Sequence, residues 1–85
     1  MRQFSHIIAD PEGIHARPAG LLVKAAAGFS CNITIGKDGK EVDVKRILGV
    51  MSLGVKSGQE IVVKCDGEQE EAAASALEEF LKENL

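Results

Sequence analysis

The order strand, helix, strand, strand, short helix, strand, helix predicts an α+β fold, an open-faced β-sandwich in which helices cover one face of a four-stranded antiparallel sheet. Three observations carry this expectation. Four short segments alternate apolar and polar residues, two longer ones repeat apolar residues at helical spacing, and Gly, Asp or Pro marks the joints between them. With 85 residues the chain has room for one modest core, so residues 1–85 are expected to form one domain.

The first strand is expected over Gln3 to Ala9, with Phe4, His6 and Ile8 on one face and Ser5 and Ile7 on the other. The alternation leaves open which face is buried. If it is the face of Phe4 and Ile8, His6 is a packed or edge histidine rather than a ligand or a second reactive group. Asp10-Pro11-Glu12-Gly13 has loop chemistry. A helix then runs to about Ala27 and stops at Gly28, with Ala19, Leu22, Ala26 and Phe29 facing the core and Leu21 and Lys24 pointing elsewhere. Asn32 to Lys37 alternates with Ile33 and Ile35 inward, Asp38-Gly39 signals a tight hairpin, and Glu41 to Val44 returns with Val42 and Val44 inward. Residues 46–53 are expected to make one or two helical turns, with Gly49 a weakness inside them. Ile47, Leu48, Val50, Met51 and Leu53 are too many apolar groups for so short an element to bury, so some should be exposed as a surface for a protein partner. The fourth strand, Glu60 to Cys65, turns Ile61, Val63 and Cys65 to one face, and Asp66-Gly67 ends it. Glu68, Glu70 and Glu71 place negative charge at the positive end of a last helix. Its buried stripe is expected to be Ala73, Ala76, Leu77, Phe80 and Leu81, leaving its acids as a solvated face rather than a metal site.

The chemistry concentrates in Gly13-Ile14-His15-Ala16-Arg17-Pro18-Ala19. Gly13 supplies a backbone conformation closed to other residues, which turns the chain sharply ahead of the histidine. Pro18 marks the first helical turn, where a missing N–H costs nothing. Because a residue before proline is pushed away from the helical region, the helix starts at Ala16 or at Pro18, with Arg17 as the cap in the second case. Either start sets His15 beside free backbone N–H groups at the helix start, which with the helix dipole and the Arg17 guanidinium suit an anion such as phosphate. Imidazole titrates near pH 6.5 when unperturbed, roughly, and the positive helix end favours its neutral, nucleophilic form. On spacing alone the alternative is a capping or surface histidine without chemistry.

Composition removes several classes of function. Ten basic and thirteen acidic residues give a net charge of −3, which argues against nucleic acid or an anionic membrane as the main partner. Three Phe with no Trp or Tyr make a poor platform for base stacking. There is no apolar run long enough to cross a bilayer and no signal-peptide core, so a cytoplasmic protein without membrane insertion is expected. Cys31 and Cys65 lack the spacing of redox or zinc sites and are expected to be reduced, core-like side chains. No second general acid or base is apparent near His15 along the chain, and no nucleotide loop is present, so an enzyme acting alone is not expected.

Over essentially its whole length the chain resembles the HPr family of phosphocarriers of the bacterial sugar phosphotransferase system. The residues that carry the resemblance are Gly13 to Ala19 and Lys45-Arg46-Ile47-Leu48-Gly49-Val50-Met51-Ser52-Leu53-Gly54, two motifs at the family's separation. The resemblance implies a shuttle: enzyme I, charged by phosphoenolpyruvate, phosphorylates His15 at Nδ1, and a sugar-specific enzyme II A protein receives the group. It further implies that Ala16, Arg17 and Pro18 at the helix start hold the phosphoryl oxygens, that Leu21, Lys24, Arg46, Ile47, Leu48 and Met51 dock the partners, and that the carrier is a monomer needing no cofactor or metal. Arg46 departs from the pattern, because many Gram-positive relatives carry there a serine phosphorylated by a dedicated kinase. Arginine has no hydroxyl, so that switch has no acceptor at this position, and Ser52 does not occupy the same place. His6 is a second departure, standing where relatives tend to have an apolar strand residue. The competing expectation is a docking module that keeps the fold and binds a regulator without carrying phosphate.

Overall fold

The computed structural model describes residues 1–85. The elements are β1 (Arg2–Ile7), α1 (Ala16–Ala27), β2 (Cys31–Lys37), β3 (Lys40–Asp43), α2 (Ile47–Ser52), β4 (Glu60–Gly67) and α3 (Glu70–Asn84). The strands form one antiparallel sheet in the order β1-β4-β2-β3. Fold class and element order are those the periodicities predict.

The burial of alternate residues fixes which face meets the helices. Cys31, Ile33 and Ile35 of β2 and Ile61, Val63 and Cys65 of β4 are all buried. Their registered neighbours pair across the strands, Ile33 with Cys65 and Ile35 with Val63. Against this surface α1 places Ala19, Leu22 and Ala26, and α3 places Ala73, Leu77 and Leu81, all nearly inaccessible. Removing a Leu or Ile side chain of this kind from water contributes about 2 kcal/mol. The opposite sheet face is open to solvent, and there Lys64 Nζ donates to Glu41 Oε2 across the strands at 2.6 Å. No helix is long and apolar enough to cross a membrane.

Several expectations change in detail. The buried face of β1 is that of Phe4, His6 and Ile8, with Ile8 fully buried and the other two half-buried, while Ser5 and Ile7 face solvent. β1 ends at Ile7 rather than Ala9, because the N–H groups of Ala9 and Asp10 turn to the Leu85 carbonyl instead of a strand partner. β2 begins one residue earlier than expected, at Cys31, opposite Gly67. β3 is Lys40–Asp43 rather than Glu41 to Val44, although Val44 is buried and its N–H still reaches the Ile33 carbonyl. Ala76 is exposed and Ala74 takes its place in the core, because α3 turns the Ala74 flank of its Ala73–Leu77 stripe toward the sheet. Phe29 lies past the end of α1 and is half-buried against the core from the turn.

Candidate functional site

His15 is the N-cap of α1, with extended backbone angles (φ −98°, ψ −178°) and a carbonyl that accepts the Ala19 N–H at 3.0 Å. The first helical residue is therefore Ala16, and Arg17 lies inside the helix despite preceding proline. The His15 side chain makes no capping bond, so the ring is not spent on the helix. Ala16 and Arg17 present N–H groups that have no acceptor in the first turn. Pro18 has none to present and is buried, so it sets the helix start rather than supplying a donor.

The loop before His15 is clamped from three sides. Gly13, at φ +68, sits under the backbone of Val55, whose carbonyl accepts the Ile14 N–H at 3.1 Å. The Leu85 carbonyl accepts the N–H groups of Ala9 and Asp10, and the Ile8 carbonyl accepts the Gly58 N–H at 2.7 Å. Inside the loop, Asp10 Oδ1 accepts the Glu12 N–H at 2.8 Å.

This turn brings two carboxylates to the histidine that sequence spacing did not reveal. Asp10 Oδ2 is 3.5 Å and Glu12 Oε2 3.8 Å from His15 Nε2. The sequence assigned Asp10-Pro11-Glu12-Gly13 to a loop and found no acid beside His15. The available signal was a glycine between two acids and a histidine, since a turn at positive φ folds the chain back within a few residues. Arg17, by contrast, is exposed and makes no ion pair or side-chain hydrogen bond, which leaves its guanidinium open to a ligand.

The apolar surface beside the site divides as expected. In α2, Val50 is buried, as is Leu53 just beyond it, while Leu48 is 80 % exposed and Ile47 and Met51 are 40 % exposed. Leu21 of α1, 46 % exposed, extends this surface, and the Ile47 side chain reaches α1 at Gly20. Lys24 and Arg46 are exposed at its margins, Arg46 with only Asp43 at 4.0 Å. Lys45 is structural: its Nζ donates to the carbonyls of Phe29 and Cys31 at 2.7 and 2.8 Å, tying the end of α1 and the start of β2 to the approach to α2.

His6 lies on the covered side of β1, an edge strand, opposite Ile61. Its Nε2 is buried with no hydrogen-bond partner. It is a packed histidine of an edge strand, remote in the chain from the helix mouth. Cys31 and Cys65 are free thiols buried on one sheet face, and burial pushes the Cys65 thiol up from its ordinary value.

Comparison with known proteins identifies the family and the fold. The family profile described as "PTS HPr component phosphorylation site" matches residues 2–83. Phosphocarrier protein HPr of Mycoplasma capricolum is 43 % identical over 81 residues, covering 95 % of this chain and 91 % of that protein. The crystal structure of HPr-C-His from Thermoanaerobacter tengcongensis superposes with a TM-score of 0.92 at 40 % identity, covering 96 % of this chain and 92 % of that one. Crh, the catabolite repression protein of Bacillus subtilis, matches at 36 % identity and a TM-score of 0.79 over 100 % of this chain and 98 % of its own. That Crh structure is a swapped dimer, so the fold does not dictate a monomer. With residues 2–83 matched and a histidine held at the mouth of its first helix, the chain belongs to the HPr family of phosphocarrier components of the phosphotransferase system.

Proposed function

We propose that this chain accepts a phosphoryl group on His15 from phospho-enzyme I and passes it to sugar-specific enzyme II A proteins, as a cytoplasmic carrier. The observation that carries this reading is the His15 ring at the N-terminus of α1, which makes no capping bond and lies beside the open N–H groups of Ala16 and Arg17. The Asp10 carboxylate faces Nε2, which favours a proton on that nitrogen and leaves the lone pair on Nδ1 as the attacking atom. As Nδ1 bonds to phosphorus, the bond from phosphorus to the donor atom of phospho-enzyme I breaks with its electron pair going to that atom, and the negative oxygens of the transferred group meet backbone N–H donors and the free Arg17 guanidinium. Onward transfer reverses these roles. An open site of this kind suits release as well as capture, because binding the phosphoryl group tightly would raise the barrier to passing it on. Leu21, Lys24, Arg46, Ile47, Leu48 and Met51 form the surface on which both partners dock in turn, with Leu48 as its most exposed apolar group.

A second reading, a docking module that regulates a partner without carrying phosphate, draws on Arg46 and on the likeness to Crh. The two are separated by reconstituting the relay with labelled phosphoenolpyruvate, enzyme I, this chain and an enzyme II A protein from one host. A carrier moves label to the enzyme II A protein only when the chain is present, and His15→Ala breaks the relay. A docking module leaves that protein unlabelled while still binding its partner.

A further inference from the structure

We infer that Asp10, Glu12 and His15 form a binding site for a divalent cation of the Zn2+ class, and that occupation of the site withholds the His15 ring from phosphoryl transfer. The second half rests on the reading of His15 as the phosphoacceptor; the first half does not.

The three donor atoms are His15 Nε2, Asp10 Oδ2 and Glu12 Oε2, all within 4.8 Å of one another. The Nε2–Oδ2 and Nε2–Oε2 separations of 3.5 and 3.8 Å exceed a good hydrogen bond. They lie close to the spacing of neighbouring ligands on one ion: with metal–ligand bonds of about 2.1 Å, donors at adjacent corners of a tetrahedron are about 3.4 Å apart. Apart from the His15 ring itself, no protein group donates to Oδ2 or Oε2, so a cation replaces only the proton on Nε2 and displaces no other internal hydrogen bond. Asp10 is already oriented. Its Oδ1 is held by the Glu12 N–H, which directs Oδ2 toward the ring, the arrangement by which a supporting bond aims a ligating carboxylate. The clamp on Gly13 and Ile14 fixes the turn that joins the three residues.

One imidazole nitrogen and two carboxylates leave a coordination position for water, a donor set that suits Zn2+. Mg2+ favours an octahedron of oxygens and keeps its waters, so the nitrogen discriminates against it. A cation on Nε2 draws electron density from the ring, which weakens Nδ1 as a nucleophile.

The test uses the untagged, 15N-labelled full chain titrated with ZnCl2 without any phosphotransferase partner. The expected result is a saturable, one-to-one displacement of the His15 ring resonances assigned to Nε2 coordination, with the His6 ring unmoved and no response to MgCl2 at the same concentration. Asp10→Asn and Glu12→Gln should each weaken binding at least about tenfold, the size of loss that even outer-shell substitutions cause. Backbone spectra that overlay those of the parent show that each variant folds. No saturable displacement, or undiminished binding in both variants, overturns the site. In a second arm, phospho-enzyme I prepared in advance is mixed with the parent or Glu12→Gln chain with and without Zn2+. Acceptance by the parent should slow more than acceptance by the variant, and equal slowing overturns the regulatory half. Failure of the metal-free chain to accept phosphoryl at all contradicts the carrier reading instead and leaves the binding result standing.

Discussion

The α-carbon of Gly13 lies so close to the Val55 carbonyl that a Cβ at that position would stand 2.2 Å from the oxygen. The same oxygen accepts the Ile14 N–H, so one backbone group of the loop before β4 fixes the turn that delivers His15. Gly13→Ala must therefore push the loop away from Val55 while also straining a backbone at φ +68. Overpacking and positive-φ strain together cost about 2–4 kcal/mol, which lowers the melting temperature by at least about 8 °C in a chain of this size. Thermal unfolding followed by circular dichroism checks it. Displacing the ring by an ångström also lowers the rate of phosphoryl acceptance by one to two orders of magnitude, roughly, in the folded fraction.

Leu48 contributes little to the core and is exposed where partners are proposed to dock. Leu48→Asp is expected to change stability by no more than about 0.5 kcal/mol. The rate of phosphoryl acceptance at limiting phospho-enzyme I should fall about tenfold, as for an apolar anchor at an interface centre. Leu53→Asp, at a buried position only five residues on, should unfold the chain. Urea titration and initial-rate measurements on both variants separate docking from folding.

The fold was legible because burial leaves a periodic trace. Ile33, Ile35, Ile61 and Val63 alternate cleanly, and the exposed remainder of the run Ile47 to Leu53 announced a surface that a six-residue helix does not bury. The rotation of α3 was not legible, since Ala74 and Ala76 are the same residue type on the two flanks of Ala73 and Leu77, about 200° apart around the helix, and periodicity alone does not choose between them. His15 and Arg17 were legible from local rules, a glycine turn and a proline in the first helical turn. Asp10 and Glu12 were legible only as far as the Gly13 turn hinted at it, because their approach to the ring also depends on backbone bonds from Val55 and Leu85, far along the chain. Periodicity carries no trace of such contacts.

Glu70 is held below the usual carboxylate value of 4.5 by the Gly67 N–H it accepts, and then by the Met1 ammonium. The Met1 amine is in turn raised above 8.0 by its bond to Glu70. A depressed carboxyl adds stability above its unfolded pKa and loses it as pH falls through the lower folded value; a raised amine adds stability below its unfolded pKa and loses it as pH rises through the higher folded value. Glu70→Gln is thus expected to lower the urea midpoint most between about pH 5 and 8, with the difference shrinking toward either extreme. A difference that stays constant across that range contradicts the assignment.

Cys65 is buried on the core face, and desolvation, which raises its pKa, disfavours the thiolate that thiol reagents attack. Neither Cys65 nor Cys31 should react with Ellman's reagent in the folded protein, and both should react promptly in guanidinium. Cys65→Ser should destabilise the fold by about 1–3 kcal/mol, because a hydroxyl there enters an apolar site without a partner. Chemical denaturation measures it.

The ring held at the mouth of α1 is the proposed phosphoacceptor. Its most direct test is intact-mass spectrometry at neutral pH after incubation with phosphoenolpyruvate and enzyme I, comparing this chain with His15→Ala. A single acid-labile phosphoryl adduct is expected on the parent and none on the variant. An adduct that persists in His15→Ala, or none on the parent with enzyme I from the same host, would contradict it.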